Sequence, residues 1–160
     1  MSKLQYLLVI THKLDYNVHM ETNNEITKVG IGVMVIKDGK VLLGKRKGSH
    51  GAGEYAFTGG HLEYLESFEE CAKRETFEET GITICNVRFL CVMNLKQYLP
   101  KHYVDIGLVA DWESGDPVAM EPEKIEGWDW YHIDELPEPL FTTITNYIEA
   151  YKTNRNYWDA

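Results

Sequence analysis

Three carboxylates, Glu75, Glu78 and Glu79, fall within the stretch GHLEYLESFEECAKRETFEETGI that runs from Gly60 to Ile82. Residues three or four apart on a helix are neighbours at roughly 5–6 Å. At an effective dielectric of about 20, each such pair of like charges costs on the order of 3 kcal/mol if unscreened. A cluster of this kind either shares a proton or holds a cation. Oxygen ligands without a His or Cys pair favour a hard ion, Mg²⁺ first and then Mn²⁺ or Ca²⁺.

The element that must position these groups is legible around them. Ser67 has the chemistry of a helix N-cap, Glu70 three residues later completes a capping box, and Gly81 suits the left-handed position that ends a helix. The helix is therefore expected over residues 68–80. Counting from Phe68, its core-facing stripe contains Cys71, Ala72, Glu75 and Glu79, with Glu78 at the edge, so the apolar face turns acidic in its second half. Glu69, Glu70, Lys73 and Arg74 lie largely opposite. A solvated acidic helix end, with Arg74 pairing to Glu70 and Glu78, is the competing reading. Gly59 and Gly60 weigh against it, because they let the backbone approach a ligand where a helix N-terminus and a metal would meet it.

Gly60, Glu66, Arg74-Glu75, Glu78-Glu79, Gly81 and the apolar Ile82, at these spacings, resemble the box of the Nudix hydrolases. Two positions depart from the family pattern. Thr76 stands where an aliphatic residue is preferred, and Thr58 stands where many relatives carry proline before the glycine pair. The resemblance implies a loop-helix-loop that binds Mg²⁺, with Mn²⁺ as a substitute, and cleaves a nucleoside diphosphate linked to another group by attack of water on phosphorus. It implies Glu75, Glu78 and Glu79 as catalytic metal ligands, one of them orienting or deprotonating the water, with the Gly60 carbonyl joining the metal shell. Glu66 and Arg74 become the ion pair that fastens loop to helix. A metal clamp on a diphosphate neutralises charge and activates water, which is what phosphoryl chemistry needs.

The segments LLGKRKGSHGAG (42–53) and EPEKIEGWDW (121–130) are similar to flanks of family members that hydrolyse nucleoside triphosphates to monophosphate and pyrophosphate. Arg46, between Lys45 and Lys47, is a candidate to grip a phosphate bidentately, with a solvated strand end as the competing reading. His61 follows Gly60 and has a donor and acceptor for substrate or water. Trp128 and Trp130 share one face of a strand. That face is core for at least one of them, and the resemblance makes Trp128 the candidate to stack on a base. Glu121 and Glu123, beside Pro122, are candidates for a further acidic contribution. Another diphosphate substrate, such as a nucleotide sugar, dinucleotide or prenyl diphosphate, is the alternative within the family; a non-catalytic nucleotide-sensing module is the alternative outside enzymology.

A chain of 160 residues with 44% hydrophobic content suits one globular domain, with residues 1–28 as an N-terminal extension or extra strand. Its net charge of −9 argues against polymeric nucleic acid, which is held by basic surfaces, and is compatible with a small nucleotide carried by a metal. Three cysteines, Cys71, Cys85 and Cys91, lack metal spacing and suit a reducing compartment; Cys71 reads as packing. With no spanning or targeting segment legible, a cytoplasmic location and no membrane partner are expected. The resemblance allows a homodimer, with the apolar Phe77, on the helix side opposite the stripe, as the local hint; packing of Phe77 beneath a neighbouring loop is the equal alternative.

Strands are expected at 5–11, 29–36, 40–44, 54–58, 84–94, 102–111 and 128–133, with Asp38-Gly39 turning a hairpin. Ile144, Tyr147, Ile148 and Tyr151 repeat at helical spacing. A mixed sheet between helices follows, and the resemblance sharpens this to a Nudix-type α/β/α sandwich.

Overall fold

The structure is a computed structural model and describes residues 26–48 and 51–159. The strand expected at 5–11 lies outside the described residues. β1 (Lys28–Lys37) and β2 (Lys40–Arg46) form the hairpin, turned by Asp38 and Gly39 at φ 50° and 77°, the two positive values that a twisted two-residue turn requires. Next come β3 (Tyr55–Ala56), β4 (Thr58–His61) and helix α1 (Phe68–Thr80). They are followed by β5 (Thr83–Leu95), β6 (Tyr103–Ser114), β7 (Ile125–His132), helix α2 (Ile144–Thr153) and β8 (Tyr157–Asp159).

The strands make one mixed sheet in the order β3-β2-β1-β6-β5-β8, with β4 pairing β1 and β7 pairing β2. β1 runs parallel to β6, Gly30 opposite Asp105 and Gly32 opposite Gly107, and antiparallel to β4, Ile31 opposite Gly60. The glycine loop is thereby bonded to the central strand instead of hanging from the surface.

Alternation along β1 feeds two cores. Ile31, Val33 and Val35 pack with Cys71 and Ala72 of α1, while Met34 points the other way toward Ile144, Tyr147 and Ala150 of α2. Val41 and Leu43 join the α2 side and Leu42 the α1 side. Each fully buried aliphatic side chain contributes roughly 1.5–3 kcal/mol, so both helices are held on the sheet by side chains of the same strands. The expected sandwich is the observed one.

Helix α1 spans the residues expected, with Ser67 as N-cap and Gly81 left-handed at φ 72°. Its buried stripe differs. Cys71, Ala72, Thr76 and Thr80 are buried, whereas Phe68 is 46% exposed. Position 68 is the first residue after the cap, where the helix has barely met the sheet. Thr76 Oγ1 lies 3.0 Å from Thr58 Oγ1, and the Thr58 hydroxyl reaches the Val33 carbonyl at 3.4 Å. The two departures from the family pattern are thus partners, bonded to each other inside the core. Among the described residues no helix is long and apolar enough to cross a membrane.

Candidate functional site

The loop before α1 is locked to it through one guanidinium. Ser67 and Glu70 exchange the two bonds of a capping box, Ser67 N–H to Glu70 Oε2 at 2.9 Å and Glu70 N–H to Ser67 Oγ at 3.2 Å. Arg74 grips Glu66 with Nε at 2.8 Å and Nη2 at 3.0 Å, the bidentate geometry expected of this pair. It also donates to the His61 carbonyl at 3.3 Å, Glu75 Oε1 at 2.8 Å and Glu78 Oε2 at 3.2 Å. The Arg74 hydrogen bonds hold the Glu66 carboxyl down at about 2. Glu70, expected as an Arg74 partner, is engaged by Ser67 instead.

The three clustered glutamates differ in surroundings. Glu75 lies directly over Gly60, where an added Cβ would overlap its carboxylate. Glu79 Oε2 accepts the Gly59 N–H at 3.0 Å. Burial pushes the Glu79 carboxyl up to about 8; the Gly59 N–H opposes this, Glu75 and Glu121 add to it, and Arg46 offsets part. Glu78 is the more exposed member, its side chain 57% accessible. Among the described residues no three acidic, His or Cys side chains converge into a ready metal cluster. Glu75 and Glu78 are turned onto Arg74 and Glu79 onto Gly59. The donor set still suits a hard cation, since all three carboxylates line one cavity and offer only oxygen.

That cavity, of about 640 Å³, is also lined by Arg46, Gly60, Glu121 and Lys124. Behind it lies a second, of about 320 Å³, and the two share Arg46, Gly59, Gly60 and His61. The second is walled by aromatic rings. His61 stacks on Tyr103 with centroids 5.8 Å apart, Phe141 stacks on Tyr98 at 6.3 Å, and the Arg46 guanidinium sits 4.9 Å above Phe141. Asp105 lines the same cavity, its Oδ2 accepting the Tyr147 hydroxyl at 2.7 Å. Burial raises the Asp105 carboxyl to about 6 against that hydrogen bond, and raises the Tyr147 phenol as well.

Placement of the remaining candidates follows. Arg46 and His61 line both cavities. Trp128, the stacking candidate, lines neither: its ring lies on Gly44 and its indole N–H donates to the Glu79 carbonyl at 3.1 Å. The indole thus caps the end of α1, a helix carbonyl that has no partner within the helix. Trp128 and Trp130 both pack on the α1-side core. Glu121 reaches the acidic cavity, paired with Lys124 at 2.6 Å, whereas Glu123 is exposed outside its lining. Cys71 is buried and its thiol pushed up to about 12 by burial, consistent with packing. As site residues Asp105, Tyr147, Tyr103, Phe141 and Lys124 were not legible in sequence, because they come from β6, α2 and two loops that only the fold brings together. The nearest signal is Gly30-x-Gly32 on a strand otherwise rich in branched residues, since glycine inside a strand marks a close approach.

Residues 26–151 match the family model described as NUDIX domain. The MutT NUDIX hydrolase of Burkholderia pseudomallei, a crystal structure, is 34% identical, superposes with a TM-score of 0.74, and is covered over 98% of its length by 79% of this chain. The NAD-capped RNA hydrolase NudC of Pseudomonas syringae pv. syringae (strain B728a) is 35% identical over 127 residues, 78% of this chain and 44% of that protein. The chain thus spans less than half the length of the curated relatives it matches. A UDP-X diphosphatase structure, 20% identical with a TM-score of 0.67 over 94% of this chain and 75% of its own, shares the fold.

Proposed function

The chain belongs to the Nudix hydrolase family, and from that footing we propose a divalent-metal-dependent pyrophosphohydrolase that converts nucleoside triphosphates, standard or oxidised, to monophosphate and pyrophosphate. The observation that carries this reading is the pairing of cavities: an acid-lined one and one walled by aromatic rings share Arg46 and Gly59 to His61 as a common wall. A nucleotide has the same two-part character, a charged phosphate chain and a flat apolar base. The aromatic cavity, at about 320 Å³, has the capacity of a single small organic group.

Glu75, Glu78, Glu79 and the Gly60 carbonyl are the proposed holders of Mg²⁺, with Mn²⁺ as substitute. When bound, the ion supplies charge neutralisation at the diphosphate and a more acidic water. The chain's own residues do the positioning. Gly59 N–H aims the Glu79 carboxylate into the acid-lined cavity. Arg74 gives Glu75 and Glu78 a resting partner that a cation can displace, while Glu66 keeps the guanidinium in place. Arg46, on the wall common to both cavities, is placed to meet a phosphate oxygen.

A dinucleotide substrate is the second reading, favoured by the NAD-capped RNA hydrolases among the relatives. There the second nucleotide would lie on the larger, acidic side. Pyrophosphate release from a panel of standard and oxidised nucleoside triphosphates, with Mg²⁺, with chelator and with Glu79→Gln, tests the first reading. Metal-dependent release abolished by the substitution supports it. Idle triphosphates alongside turnover of NAD or a nucleotide sugar would transfer the assignment to the second. Nucleotide binding without turnover of any diphosphate would point to a sensing module.

A further inference from the structure

We propose that Asp105 selects the base, its carboxylate accepting hydrogen bonds from a purine edge that presents a ring N–H beside an exocyclic amino group, as guanine does. The proposal rests on the nucleotide reading above and names the class of base that reading leaves open. Asp105 sits in the aromatic cavity, on the far side of Gly59–His61 from the glutamates. One oxygen, Oδ2, accepts the Tyr147 hydroxyl. The other, Oδ1, faces the space above Gly30, where an added Cβ would stand 3.1 Å away.

Among the described residues Asp105 has no ion pair and no second side-chain hydrogen bond. A carboxylate drawn out of water with a single neutral donor is poorly compensated, and such a group persists where a ligand completes its partners. The glycines nearby make room for the Tyr147 ring whose hydroxyl engages Oδ2. Side chains at Gly32 or Gly107 would collide with Tyr147. Gly30, Gly32, Asp105 and Gly107 are register partners on adjacent strands, so the Tyr147 ring and the Asp105 carboxylate lie directly against backbone. His61 on Tyr103, and Phe141 on Tyr98, supply flat apolar walls beside it.

The sign of the selection follows from the donor inventory. An ionised carboxylate only accepts. A guanine-type edge offers two adjacent donors to it. An adenine-type edge sets a ring nitrogen acceptor against the carboxylate, a repulsive contact that discriminates by what it excludes. Burial raises the Asp105 carboxyl to about 6, and the selection belongs to its ionised form. Anchoring α2 through Tyr147 is the structural alternative, and an amide would serve that purpose as well as a carboxylate.

Isothermal titration of the full chain with GMP, IMP and AMP at pH 7.5 in chelator decides between them, because binding is read without turnover. GMP should bind tightest, IMP roughly tenfold or more weaker for the lost amino donor, and AMP weaker again. In Asp105→Asn the amide oxygen keeps Tyr147 and the amide N–H₂ faces the ligand, so the GMP-to-AMP preference should fall at least tenfold. Equal affinities in the wild type, a preference for AMP, no binding of any of the three, or an unchanged preference in Asp105→Asn would each overturn the proposal. If that variant does not fold, the wild-type ladder alone decides. Triphosphate turnover with a flat base preference would leave the hydrolase reading standing and remove only this one. A GMP preference without turnover would do the reverse.

Discussion

At the scale of single residues, the acidic cluster and the lone aspartate show two ways in which a buried charge is tolerated. Glu79, buried and aimed by the Gly59 N–H, is the carboxylate on which the proposed chemistry is best tested. Glu79→Gln is expected to lower kcat by two or more orders of magnitude, since it removes charge needed in the transition state, while circular dichroism stays native. Retained activity would move the catalytic assignment to Glu75 or Glu78. Asp105 yields a prediction on pH. Its folded carboxyl is raised to about 6 from an ordinary 3.8, so the folded chain holds a proton that the unfolded chain has released. The stabilisation is complete below about 3.8 and is lost as pH rises through about 6. The difference in melting temperature between wild type and Asp105→Asn should therefore change across that window, in favour of the variant as pH rises. Parallel profiles would show that the carboxyl does not titrate there.

Among the elements, α1 was the most legible in sequence because its signals are local: a capping box, an apolar spacing and a terminal glycine, all within one stretch. The Glu66–Arg74 clamp was legible for the same reason. What escaped is what only tertiary pairing creates. β8 has three residues and exists by lying parallel to β5. The aromatic cavity draws on β1, β4, β6 and α2, and no window of sequence contains Asp105 and Tyr147 together. Trp128, which the resemblance makes the candidate to stack on a base, lines neither cavity and gives its N–H to the end of α1, a neighbour that strand alternation does not reveal. The Thr58–Thr76 bond, joining β4 to α1 across buried space, is a further tertiary pairing with a measurable consequence. In a double-mutant cycle with Thr58→Val and Thr76→Val, urea unfolding should give a coupling of about 1 kcal/mol for the shared hydrogen bond. Additive effects would mean the hydroxyls are satisfied separately.

For the whole molecule, the sheet holds two jobs apart. Its α1 side carries the acid-bearing helix, its α2 side carries the aromatic cavity, and β4, bonded to β1, runs between the two. Because a divalent cation at the glutamates would bind the folded arrangement and not the unfolded chain, saturating Mg²⁺ should raise the melting temperature. The rise should shrink in Glu79→Gln. An unchanged melting curve, with Glu79→Gln more stable than wild type, would mark the carboxylates as uncompensated charge. The buried threonine pair also has a historical reading. If a chain reached this core from the proline and aliphatic residues that its family prefers, the two replacements were not interchangeable in order. A helical threonine at 76 can turn its hydroxyl back to a carbonyl of its own preceding turn while it waits for a partner. A threonine arriving first at 58 would have faced an aliphatic side chain, with only the distant Val33 carbonyl in reach. The easier route would therefore begin in the helix, with the loop before the glycines changing second.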